Sequence, residues 1–194
     1  MNILTILGSP RMKGNTAGAL DMVEQELAGR HQVERLAIAS VKVNGCLGCE
    51  ACQKVTDRPG CVQKDDAVAV FERMMTADAV IYSSPLYCWD FSAQMKALID
   101  RHFCLVTGYG TVNHRSLIAE KPAALLVTCG GPVKGNADVI QTVFGRVCRY
   151  GKARAVNKTV IPFCTTPDAM GEEARAAARK LAGDISGALR QHSR

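Results

Sequence analysis

Five short apolar runs, each followed by a stretch with helical spacing, recur along the chain. That alternation restricts the fold more than any other feature. "NILTILG" is nearly continuous in apolar residues and ends at Gly8, as a parallel strand buried on both faces does. "QVERLAIA", "DAVIYSSP", "AALLVTCGG" and "ARAVNKTVIPF" read as the other strands. Between them, "TAGALDMVEQELAG" sets Ala17, Leu20, Val23, Glu24 and Leu27 on one helical face, with Gly29 to close it. "DDAVAVFERMMTA" opens on two carboxylates suited to a helix N-terminus. "SAQMKALIDRHF" has Ser92 as its N-cap, and "NADVIQTVFGRVCRYG" and "GEEARAAARKLAGDISGALRQ" complete the set.

Strands that alternate with helices imply right-handed crossovers and a parallel sheet covered on both faces. Five units in 194 residues match the three-layer, doubly wound, flavodoxin-like plan with strand order 2-1-3-4-5. The expectation is one α/β domain over residues 1–194, with a cysteine-rich insert at about 44–64. Segments 44–64 and about 104–121 exceed the usual connection of about 2–6 residues, and long loops in such a domain are usually functional or mobile.

No stretch approaches the about 18 apolar residues of a membrane span, and "MNILTILGSP" lacks a signal peptide's basic start. A cytoplasmic protein without a membrane partner is expected. The net charge is +6, but Lys and Arg are scattered and form no basic run, so no nucleic-acid partner is expected.

"GSPRMKGNT" (Gly8–Thr16) joins the first strand to the first helix. Backbone N–H groups there and at the helix N-terminus face any bound anion. Ser9, Asn15 and Thr16 add hydroxyl and amide donors, Arg11 adds a charged one, and Gly8 and Gly14 let the backbone turn. Asn15 stands where a Walker A loop needs Lys, and the dinucleotide fingerprint is absent. The first strand ends without the carboxylates of a response regulator. The only Cys-x5-Arg match, Cys52 to Arg58, has no following helix, against a tyrosine phosphatase. A mononucleotide phosphate remains.

"SSPLYCWDFSAQMKALIDR" follows the third strand. Pro85 restrains this loop, and Tyr87 and Trp89 set aromatic faces at the sheet's C-terminal edge, where a flat heterocycle would sit. His31, His102, His114 and His192 show no catalytic pattern, and no catalytic residue is assigned.

Nine cysteines, with no secretion signal, argue against a disulfide framework. Cys88, Cys104, Cys129, Cys148 and Cys164 stand alone near element ends and read as small buried hydrophobes. Cys46, Cys49 and Cys52 follow at three-residue steps, and Cys61 closes the run. Three thiolates so spaced can wrap one compact metal centre. A structural zinc usually takes pairs from separated segments, and disulfides here would close very short loops. Gly45, Gly48 and Gly60 give the backbone freedom and Pro59 steers Cys61 back. A loop of reduced thiols is the remaining alternative.

Taken together, "GSPRMKGNT", "SPLYCWDFSAQMKALIDR" and "VTCGG" (Val127–Gly131) resemble the NADPH-dependent FMN reductase family over residues 2 to about 165. The resemblance implies that Ser9, Arg11, Asn15 and Thr16 hold the FMN phosphate. It implies that Pro85, Leu86, Tyr87, Cys88 and Trp89 line the flavin ring, and that Thr128, Gly130 and Gly131 approach its edge. The run C-x2-C-x2-C-x8-C followed by "VQKDD" resembles the iron–sulfur flavoproteins of that family, with a last spacing one residue longer than their pattern. That likeness implies a [4Fe–4S] cluster on Cys46, Cys49, Cys52 and Cys61. It also implies an oxidoreductase moving electrons from NAD(P)H or a reduced carrier through FMN to an acceptor, as a homodimer or homotetramer. The alternatives are an electron carrier working with ferredoxin and a redox-sensing binding protein. Carriers of the small flavodoxin type are typically acidic, and this chain is basic.

Overall fold

A computed structural model describes residues 1–192. The first strand, β1 (Asn2–Leu7), leads to helix α1 (Asn15–Ala28) and strand β2 (Gln32–Ala37). After the cysteine segment come α2 (Ala67–Thr76), β3 (Ala79–Pro85) and α3 (Ala93–Asp100). A two-residue hairpin, β4 (Val106–Thr107) and β5 (Arg115–Ser116), precedes β6 (Pro122–Thr128), α4 (Asp138–Tyr150), β7 (Arg154–Ile161) and α5 (Glu172–His192).

The main sheet runs β2-β1-β3-β6-β7, all parallel, which is the expected doubly wound order. Side chains alternate across it, as the two-residue period of a strand requires. Leu4 and Ile6 of β1, Val80 and Tyr82 of β3, and Leu125 and Val127 of β6 pack with α2, α3 and α4. Ile3 and Leu7, Ala79 and Ile81, and Ala124 and Leu126 pack with α1 and α5. Burial on both faces explains why these strands carry continuous apolar runs. Among the described residues, no helix is long and apolar enough to cross a membrane.

Local chemistry modifies several expected boundaries. β2 ends at Ala37 because Ile38–Ser40 winds into a 3-10 turn. Ser92 does cap α3, its hydroxyl accepting the Met95 N–H at 3.2 Å, but the helix closes at Asp100, and Arg101–Leu105 tightens into a 3-10 turn. Gly29 closes α1 in a right-handed conformation, so no left-handed glycine cap is used there.

The two carboxylates before α2 serve a different purpose from the one expected. Asp66 accepts the Lys42 N–H at 2.7 Å, and its own N–H goes to the Lys42 carbonyl at 2.9 Å. Asp65 accepts the N–H groups of Asn44 at 2.9 Å and Ala67 at 3.2 Å. The pair therefore clasps the base of the cysteine loop, and only one of these bonds caps the helix.

Candidate flavin cleft and cysteine pocket

β1, β3 and β6 end side by side, and their following loops enclose a cleft of about 160 Å³. Gly8 at the end of β1 donates its N–H to the Ser83 carbonyl at 2.7 Å. The reason for glycine is close approach: a Cβ at Gly8 would lie 2.8 Å from the Ser83 oxygen and 2.9 Å from Met95 Cε. Gly14 has φ −89°, so neither glycine serves a left-handed turn. Within the loop, the Ser9 hydroxyl accepts the Arg11 N–H at 3.1 Å.

The N-terminus of α1 is open toward this cleft. Gly14 provides no side-chain cap, and the first turn carries no acidic residue. Its N–H groups and partial positive charge are left for an external anion. Asn15 Oδ1 is buried without a partner, and a buried unpaired acceptor costs about 1–3 kcal/mol until a donor reaches it. A phosphate at the helix end and a polyol chain beside it would satisfy both.

Ser9, Arg11, Asn15 and Thr16 meet Pro85, Leu86 and Tyr87 from the β3 loop and Thr128 and Gly130 from the β6 loop along this cleft. Leu86 donates its N–H to the Thr128 carbonyl at 2.9 Å and fixes the two loops together. Cys88, Trp89 and Gly131 lie outside the lining. The cause for the first two is a tight turn in which Tyr87 and Asp90 exchange backbone hydrogen bonds of 3.1 and 3.0 Å. Cys88 (φ 49°) and Trp89 (φ 64°) occupy its corners in left-handed conformation. That turn lifts both to the exposed apex, so Cys88 is not a buried hydrophobe and Trp89 is 58% exposed. Gly131 sits against the Asn136 side chain instead.

Cys129 and Cys164 line the cleft as well. Reading them as isolated buried hydrophobes missed this, and the one available signal was the position of Cys129 inside "VTCGG". Burial raises both thiols above the usual range.

The four clustered cysteines surround a second hollow, together with Arg101, Phe103 and Cys104. Cys46 and Cys49 are exposed, Cys61 is half-buried and Cys52 is buried. Gly48 is left-handed at φ 64° and, with no Cβ, adopts that conformation freely. Gly60 packs so closely that a Cβ would meet Val55 Cβ at 2.5 Å and the Cys52 carbonyl at 3.1 Å. This contact returns Cys61 to Cys52. Gln53 Nε2 donates to the Phe103 and Val106 carbonyls, each at 2.9 Å, and pins the segment to the second long loop.

Among the described residues, no group of three or more His, Cys, Asp or Glu side chains is drawn tightly enough to hold a metal ion. The hollow encloses only about 10 Å³. Four thiols around a shared hollow suit a cluster at its exposed mouth better than one ion at a point, because cluster irons each take a separate thiolate. Cys104 is pushed up to about 12 by burial and is an inert thiol as it stands.

A parallel doubly wound sheet with an uncapped helix after β1 and an aromatic turn after β3 defines a flavodoxin-like α/β protein. The profile of the NADPH-dependent FMN reductase family matches residues 1–144, and the chain belongs to that family. Within it, the chain groups with the iron–sulfur flavoproteins. It is 33% identical over 190 residues to an iron–sulfur flavoprotein of Archaeoglobus fulgidus, covering 97% of this chain and 80% of the relative. It is 30% identical over 148 residues to one of Methanocaldococcus jannaschii, covering 72% of this chain and 66% of the relative. The fold is shared with an NAD(P)H:quinone oxidoreductase from Methanothermobacter marburgensis, with TM-score 0.70, 19% identity, and 97% and 94% of the two chains covered.

Proposed function

We propose that the protein is an FMN-dependent oxidoreductase of the cytoplasm that moves electrons from NAD(P)H, or from a reduced carrier, to an acceptor. FMN lies in the cleft of Ser9, Arg11, Asn15 and Thr16, and a [4Fe–4S] cluster is held by Cys46, Cys49, Cys52 and Cys61. The observation that carries the flavin reading is the uncapped α1 N-terminus beside the unpaired Asn15 Oδ1. FMN would supply hydride acceptance and stepwise electron release. The chain's part is to bind the phosphate, hold the ring against the Tyr87 turn and leave one edge open to a donor. No side chain in the cleft is required as an acid or base.

A second reading is an electron carrier that works with ferredoxin. It is favoured by Leu47 (71% exposed) and Val62 (60% exposed), which flank the cysteine hollow as apolar surface a protein partner could cover. Assembly as a homodimer or homotetramer belongs to the same proposal, since closed symmetric assemblies are the commonest.

Anaerobically reconstituted protein, assayed for flavin, iron and acid-labile sulfide and then for NADPH and NADH oxidation, tests these statements. Stoichiometric FMN, iron lost on Cys52→Ser and steady turnover are expected. Adenine in the released cofactor would overturn the FMN assignment. Iron unchanged in the variant would overturn the ligand set. Cluster reduction by ferredoxin without pyridine-nucleotide turnover would select the carrier.

A further inference from the structure

The wall of the cysteine hollow carries a charge pair that ligation alone leaves without a role. Arg101, just past α3, is 1% exposed at its side chain, and its partner Asp65 is 0% exposed. The guanidinium donates to the two Asp65 oxygens at 2.8 and 3.1 Å and to the Asn44 carbonyl at 3.0 Å. Its remaining nitrogen, Nε, is buried without a partner. Arg101 itself lines the hollow with the four cysteines, and Cys61 faces it.

A buried ion pair is weak as a stabiliser, because desolvation of both charges offsets their attraction. The loop base already has the Asp66–Lys42 hydrogen bonds as a clasp. An unpaired buried donor on a cation that shares its hollow with four thiols is suited to negative charge on sulfur. We propose that Arg101 is a positioning residue of the cysteine site, and that the Arg101–Asp65 pair sets the reduction potential of the cluster held there. The inference rests on the cluster reading above. Reduction adds negative charge, so the Arg101 cation favours the reduced state and the Asp65 carboxylate opposes it, through charge and hydrogen bonding to sulfur. The two residues therefore act with opposite sign.

The test is the midpoint potential of the anaerobically reconstituted protein, followed by EPR, in the wild type, Asp65→Asn and Arg101→Gln, each with iron and sulfide content measured. Asp65→Asn is expected to raise the potential and Arg101→Gln to lower it. Each should change the oxidised-to-reduced ratio by about tenfold at fixed potential, about 59 mV for a one-electron couple. If Arg101→Gln does not fold, the near-isosteric Asp65→Asn decides alone. Shifts of the same sign, an unshifted Asp65→Asn with full iron, or loss of iron from both variants beside a loaded wild type would leave only a structural clasp and overturn the inference. A wild type that takes up no iron would overturn the cluster reading together with it.

Discussion

The hydroxyls of Thr16 and Thr128 meet at 2.7 Å in a buried hydrogen bond that joins the first turn of α1 to the end of β6. Each hydroxyl has one proton. One of the two donates it to the other, which leaves a single proton for an anion in the cleft. The bond couples the phosphate loop to the ring-edge loop through side chains 112 positions apart.

Thr16→Val or Thr128→Val alone leaves its partner buried and unpaired, at a cost of about 1–3 kcal/mol. Replacing both removes the orphan, so the double variant should lose less than the sum. Urea unfolding of the four proteins, without flavin, reads this directly. Strictly additive losses would show that the two hydroxyls do not depend on each other.

Arg11 is exposed at the cleft rim. A charge-assisted contact to phosphate is worth roughly 1.5–3 kcal/mol, so Arg11→Ala should weaken FMN binding about 10- to 100-fold. Fluorescence titration of the stripped protein measures it. Riboflavin, which lacks the phosphate, should bind wild type and variant alike, and an equal loss for both ligands would move Arg11 away from the phosphate.

Gly8→Ala should destabilise the protein by about 1–3 kcal/mol, the usual range for forcing extra volume into a packed site. The added Cβ must push away the Ser83 oxygen at 2.8 Å, a backbone atom that cannot swing aside. A lower urea midpoint at constant slope is the expected signature. An unchanged midpoint would mean that β1 and β3 separate there without cost.

The parts of this architecture that sequence revealed are those governed by local period and by loop position. Strands β1, β3 and β6 are buried on both faces and announce themselves as apolar runs, and the loops after them carry their own chemistry. Pairings across long separations were not legible. Arg101 lies at the end of an amphipathic helix, where a charge ordinarily meets solvent; only the fold brings Asp65, 36 positions away, against it. The β4–β5 hairpin has two residues per strand, too few to show any alternation. Trp89 reads as a ring-lining residue from its type and position, and its left-handed backbone sets it at an exposed apex, a direction that no residue type reveals.

His102 supplies a pH test that is independent of any cofactor. Its ring is buried edge-on against Phe71 and Tyr82, and burial lowers its pKa from 6.5 to about 4. The unfolded chain therefore binds a proton near pH 6.5 that the folded protein refuses until about pH 4. Stability is complete above the unfolded value and falls as pH drops through this window, by a total on the order of 3 kcal/mol. His31 is also lowered by burial and adds a smaller slope in the same direction. The Asp65 carboxylate, held below its usual range by Arg101 although its burial opposes this, acts only at lower pH. Urea midpoints at pH 7 and pH 5 should thus differ clearly in the wild type and much less in His102→Leu, which keeps the His31 slope. Equal pH sensitivity in the two proteins would show that the His102 ring reaches water.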